Sequence, residues 1–200
     1  MKLNLANRIT ILRILLIVPF VIFMLKDDHP TMGTFMRYMA LLLFLVMAFS
    51  DAYDGYVARK KKEITPLGVF LDPTADKLLM ACACVLLTIN KTAVVGFRLP
   101  PTVAVLIIAK DMFLLIGFVI LRFLNFQVKP TPALVGRIAT VLQLSMVAAI
   151  LIAPEMSKVL IGWIWFLRFL WYSAAGTAII AILIYIRMGT KYIEQFENNR

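Results

Sequence analysis

Six apolar runs occupy most of this 200-residue chain, at roughly Ile9–Leu25, Phe35–Ala58, Leu67–Asn90, Pro100–Phe123, Pro132–Ala153 and Val159–Ile186. A bilayer crossing takes ~20 apolar residues, so six crossings leave little chain for anything outside the membrane. Composition agrees: 62% of residues are apolar and 16% charged, against ~45–50% and ~25% in soluble domains. Disorder is excluded by the same figures, since a disordered chain is poor in apolar residues. The expected fold is an all-α integral membrane protein, one domain over residues 1–200, with six transmembrane helices. The first run has flanking charge and no small-residue cleavage site, so it reads as a span and not as a removed leader.

Charge orients the chain. The excess is +10, which in a membrane chain points to topology and anionic headgroups. No basic groove interleaved with aromatics accompanies it, which argues against a nucleic-acid partner. Lys2 and Arg8, then Arg59 to Lys62, then Arg122, Lys129 and Arg137, then Arg187, Lys191 and Arg200 fall in one set of connections. The alternate set holds only Lys26, Lys91, Arg98 and Lys158. The cation-rich side is the cytoplasmic one, so both termini and the connection after the second run are expected there, in the cell inner membrane.

The acids are not scattered. Asp51, Asp54, Asp72, Asp76 and Asp111 are five of the eleven acidic residues, and ionised groups inside a span mark function by default. Helical spacing puts Asp51 and Asp54 on one face of the second helix and Asp72 and Asp76 on one face of the third. Both pairs flank the same short basic connection. Four converging carboxylates cannot all stay ionised in a low dielectric without cations. Hard divalent ions with oxygen ligands meet that need, and two can share such a cluster. The blander alternative is a set of interfacial charges balanced by Arg59 to Lys62 and Lys77. Gly55 and Gly68, each costing ~1 kcal/mol in a helix, mark a close approach of backbone to a ligand or to a neighbouring helix, as does the small Ala58.

The order Asp51-Ala-Tyr-Asp54-Gly55-Tyr-Val-Ala58-Arg59, then Gly68, Asp72 and Asp76, resembles the signature of the CDP-alcohol phosphatidyltransferase family at every fixed position. Length, six runs and the basic second connection extend the likeness over nearly the whole chain, and the resemblance implies that the six transmembrane helices surround a polar, cytoplasm-facing active-site cavity. The resemblance implies that Asp51, Asp54, Asp72 and Asp76 hold Mg²⁺ or Mn²⁺, as two ions, and that Asp76 is also the general base. It implies a CDP-diacylglycerol substrate, with Gly55, Ala58 and Gly68 making room for the nucleotide and Arg59 pairing with a phosphate. An alcohol acceptor, release of CMP, a role in phospholipid biosynthesis and a homodimer follow in the same way.

Outside the signature, Asn7, Thr10 and Arg13 recur at three-residue steps and are similar to the family's opening, with Ala6 where a proline is usual. They read either as supporting site residues or as an interfacial start with a snorkelling arginine. In the resemblance, Lys110-Asp111 and Gly136-Arg137-Ile-Ala-Thr140-Val-Leu-Gln143 stand where the family binds its acceptor, and Lys129 is a further cation for it. Phosphatidylglycerophosphate synthases carry Arg-Glu and Gly-Lys-x-Lys-Thr there, and the residues present look closer to single-domain cardiolipin synthases. The acceptor is expected to be glycerol 3-phosphate, with phosphatidylglycerol as the alternative and inositol phosphate third. A divalent-cation transporter is the non-enzyme alternative, though it predicts acids near mid-bilayer and often inverted repeats. Cys82 and Cys84 read as buried small hydrophobes, His29 as solvated, and Trp163 to Trp171 as an aromatic belt or packing surface.

Overall fold

The computed structural model describes residues 5–25, 30–61, 66–123 and 134–198, without the side chains of residues 52–61 and 66–73 among others. Each apolar run contributes one long helix among the described residues: α1 Leu5–Met24, α2 Pro30–Lys61, α3 Pro66–Thr88, α4 Pro101–Phe123, α5 Leu134–Leu151 and α7 Trp163–Asn198. A seventh, short helix α6, Ala153–Val159, replaces the turn expected at Pro154–Lys158. Prolines open several of these elements, at Pro30, Pro66 and Pro101, with Pro154 inside the first turn of α6. A first-turn proline loses no helical hydrogen bond and presents a preset φ. The connection from α3 to α4 is tied to the end of α3. Arg98 donates from Nε to the Thr88 carbonyl at 2.6 Å, Leu99 N–H to the Leu87 carbonyl at 3.1 Å, and Thr92 Oγ1 to the Leu86 carbonyl at 2.5 Å. These donors satisfy carbonyls that a helix end leaves without partners. Gly96, at φ +81, supplies the left-handed residue the turn needs.

The long helices form a closed ring. In order around it, α1 packs on α2, α2 on α5, α5 on α7, α7 on α4, α4 on α3, and α3 back on α1. A further α3–α5 contact crosses the middle. The interior is filled by Phe20, Phe44, Met47, Leu87, Ile107, Met146, Ile150 and Leu167, all essentially inaccessible. Phe20 and Phe44 meet as tilted rings 6.1 Å apart, which seats α1 on α2. Alanines at 174, 175, 178 and 181 line the inward face of α7, and small residues of this kind let helix backbones approach in a bilayer.

Polarity runs opposite to that of a soluble bundle. On α1, Leu12, Leu15, Val18 and Ile22 face outward, more than half exposed, while Thr10 and Arg13 are buried. The same holds for α4, with Val105, Met112, Phe113 and Ile116 outside and Lys110 and Asp111 inside. A continuous apolar exterior of this extent is a lipid-facing surface. Among the described residues, Met32–Asp51 and Trp163–Thr190 are long and apolar enough to cross a membrane, and Val135–Leu151 with Ala153–Val159, bent by 75°, make a third if the pair is taken as one span. At the end where α2 begins, Arg37 donates to the Glu155 carboxylate through both terminal nitrogens and to the Leu151 carbonyl at 3.0 Å, fastening α2 to the α5–α6 corner. Arg168, in the aromatic stretch, lies over the Trp165 ring at 4.9 Å.

Candidate active site

Arg13 sits on the inward face of α1, one helical turn past Thr10, and both are buried. The antiparallel packing of α1 on α2 brings Arg13 to the late part of α2, where its terminal nitrogen is 2.5 Å from Asp51 Oδ1. The two partners differ in accessibility. The arginine side chain is 2% exposed and the carboxylate 44%, so the cation forms the floor and the acid opens into accessible space.

A second set of charges lies on α3, α4 and α5. Lys77 Nζ is 3.1 Å from Asp76 Oδ2 and 3.4 Å from Asp111 Oδ1; Lys110 Nζ is 3.0 Å from the same Asp111 oxygen. Lys110 also donates to Gln143 Oε1 at 3.0 Å. Because an ammonium only donates, the amide oxygen must be the atom that faces it. The result is a row of alternating sign, Asp76, Lys77, Asp111, Lys110, closed by a neutral amide. Side-chain exposure falls along it from 22% at Asp76 to 1% at Lys110. By helix rise, Asp76 stands ~15 Å from the start of α3 and Asp111 ~15 Å from the start of α4, so the row crosses the bundle near its middle.

Sequence alone gives Lys77 only a balancing role and places Gln143 in the acceptor-side stretch of the fifth run, without naming a partner for either. The available signal was their position inside apolar runs, where any polar residue needs a partner. Lys110 and Asp111 are both buried, so the cation expected to face an acceptor is engaged inside the bundle. Arg137, on the first turn of α5, is exposed. Beside it Gly136 lies against the Tyr185 hydroxyl of α7, and Thr140 Oγ1 donates to the Gly136 carbonyl at 3.1 Å.

Of the other expected site residues, Asp54, Gly55, Ala58 and Arg59 lie on α2 and Gly68 and Asp72 on α3, with side chains outside the described residues. The side chain of Asn7 on α1 and the whole of Lys129 lie outside them as well. Among the described residues no three His, Cys, Asp or Glu side chains gather. What is described fits hard cations: Asp51 and Asp76 are oxygen donors, both partly accessible, each beside a more buried cation.

The CDP-alcohol phosphatidyltransferase family model matches residues 3–188. A Pseudomonas fluorescens protein named CDP-diacylglycerol--glycerol-3-phosphate 3-phosphatidyltransferase is 46% identical over 84 residues, covering 42% of this chain and 40% of its own. The protein of the same name from Escherichia coli (strain K12) is 42% identical over 88 residues, covering 44% of this chain and 46% of its own. The chain thus spans less than half the length of these curated relatives.

Proposed function

The chain belongs to the CDP-alcohol phosphatidyltransferase family, and from that premise we propose that it transfers the phosphatidyl group of CDP-diacylglycerol to glycerol 3-phosphate, releasing CMP. The family match over residues 3–188 carries this reading, and the names of the two relatives favour the acceptor. The protein works as a six-span enzyme of phospholipid biosynthesis in the inner membrane, as a homodimer, with both termini and the site on the cytoplasmic side. The cation count of its connections supports that orientation.

Asp51, Asp54, Asp72 and Asp76 hold two Mg²⁺ or Mn²⁺ ions. Bound there, the ions neutralise charge on the diphosphate and on the departing CMP. The protein does the rest. Arg13 holds the Asp51 carboxylate from the buried side. Gly55, Ala58 and Gly68 leave room for the nucleotide, and Arg59 pairs with a phosphate. Asp76 takes the acceptor hydroxyl's proton at Oδ1, since Oδ2 is engaged by Lys77. The hydroxyl oxygen then bonds to the lipid-side phosphorus as the bond from phosphorus to the CMP oxygen breaks. Arg137, exposed at the start of α5, and Lys129 attract a phosphate-bearing acceptor.

One observation supports phosphatidylglycerol as a second acceptor: Lys110 is buried and bonded within the bundle, which leaves fewer cations for a free phosphomonoester. Purified full-length protein with CDP-diacylglycerol, Mg²⁺ or Mn²⁺, and each labelled acceptor separately tests both. CMP release that depends on glycerol 3-phosphate is the expected result. Dependence on phosphatidylglycerol alone selects the second reading, and no CMP release with any acceptor overturns the enzyme assignment.

A further inference from the structure

We propose that Asp111 is a positioning residue for the metal site: it shares the Lys77 ammonium with Asp76, and this sharing leaves Asp76 able to hold a cation. The inference rests on Asp76 being a metal ligand, as proposed above. It starts from a geometrical oddity. Asp76 and Lys77 are neighbours on α3, and adjacent helical residues point ~100° apart, so they do not face each other by default. Lys77 nevertheless reaches Asp76 at 3.1 Å while also lying 3.4 Å from Asp111 on the adjoining helix. Its flexible four-carbon stem lets one ammonium lie between two acids.

Each member of the row limits what the next can do. Lys110 is held by Asp111 and by Gln143 Oε1, both buried, so it cannot leave. Asp111 is 4% exposed, too buried for water to take over from its cations. Lys77 is therefore drawn inward from Asp76 by an acid that is itself fixed. Without Asp111, Lys77 keeps Asp76 as its one acidic partner in the row, and Lys110, now a nearby like charge, pushes it in that direction. An ammonium resting fully on Asp76 competes with a metal for the same oxygens. Without Lys77, by contrast, nothing in the row competes. The two substitutions should thus act in opposite directions, and the effect of losing Asp111 should require Lys77.

The test is Mn²⁺ affinity, followed by electron paramagnetic resonance on the purified full chain in lipid nanodiscs without nucleotide. D111N should weaken Mn²⁺ binding and K77M should tighten it, each on the order of 10-fold, a mid-range coupling for members of one ion-pair network. In the K77M background, D111N should change affinity less than about 2-fold. D111E, which keeps the acid, should remain near wild type, and this controls for a fold that tolerates no change at position 111. Weakening by D111N that persists undiminished in K77M overturns the sharing and leaves Asp111 acting as a distant charge. A wild-type protein that binds no Mn²⁺ overturns the metal reading and this inference with it, a result distinct from additive effects on a protein that does bind.

Discussion

A methyl group added at Gly136 tests how α5 and α7 are set against each other. The new Cβ would stand 2.5 Å from the Tyr185 hydroxyl and 3.7 Å from the ring carbon that bears it. The first distance is about 1 Å inside ordinary non-bonded contact, and the second is ordinary contact. The hydroxyl lies on the χ2 axis, so a small turn about χ1 must move it, and relief costs about 1 kcal/mol, the low end for overpacking. Against this, alanine in place of a helical glycine returns up to ~1 kcal/mol, and less at a first-turn position such as 136. G136A should therefore leave the wild-type protein unchanged or slightly destabilised. In a Y185F background the clash is gone, and the same substitution should stabilise. The two backgrounds should differ by about 1 kcal/mol in the effect of G136A, a 2–4 °C difference in Tm shift for a chain of this size. Thermal unfolding in one detergent, with all four variants of the cycle, measures it. An equal Tm change in both backgrounds would refute the close approach of Tyr185 to α5. The function gives a second readout: Arg137 follows Gly136, so a displaced α5 should raise the acceptor KM in G136A and not in G136A/Y185F.

Chelation with confirmed metal removal should abolish CMP release, and added Mg²⁺ or Mn²⁺ should restore it; full turnover in excess chelator rejects the metal cluster. D76N should lower the rate by at least ~10²-fold, the usual reach of a general base, while CDP-lipid binding, read by equilibrium titration, is largely kept. Wild-type turnover by this variant removes Asp76 from that role. For orientation, Lys61→Cys in a background lacking Cys82 and Cys84 should react with a membrane-impermeant thiol reagent only in inverted vesicles, and Asp28→Cys only from the outside; the reverse pattern inverts the topology. R37K replaces a two-pronged contact with a point charge and should lower Tm by the equivalent of about 1 kcal/mol, whereas no shift would show that the α2 to α5–α6 fastening contributes nothing.

The long helices are legible in the sequence because lipid exposure demands apolar residues over each whole run, a signal stronger than periodicity alone. Their ends are less so. The last helix continues to Asn198, well past Ile186, since Lys, Glu and Gln of the tail are good helix formers and no proline stops them. The short α6 escaped notice because seven residues with a proline and a lysine look like a turn. In the site, the four signature aspartates stand out by spacing within two consecutive helices. The partners of Lys110 do not. Gln143 meets Lys110 because α5 reaches across the ring, and Lys77 meets Asp111 because α4 lies beside α3; hydrophobic pattern says which face turns inward without saying whom it meets. Arg13 could be placed on an inward face from the three-residue steps, but its pairing with Asp51 required the packing of α1 on α2.

The order of helices around the ring also sets a timetable. Read from the amino terminus, α2, α1, α3 and α4 form a continuous arc, because α1 touches both α2 and α3, and α3 touches α4. Asp51 reaches Arg13, and Asp76, Lys77, Asp111 and Lys110 reach one another, within that arc. A ribosome that has released α4 has thus already delivered both sides of each of these ion pairs, and none must wait in lipid for a later helix. Among the described side-chain contacts, the amide of Gln143 and the Glu155 fastening arrive with the remainder. The last helices then serve as a closure over ion pairs that are already matched, and a nascent chain halted after α4 is the intermediate in which those pairs would first be found.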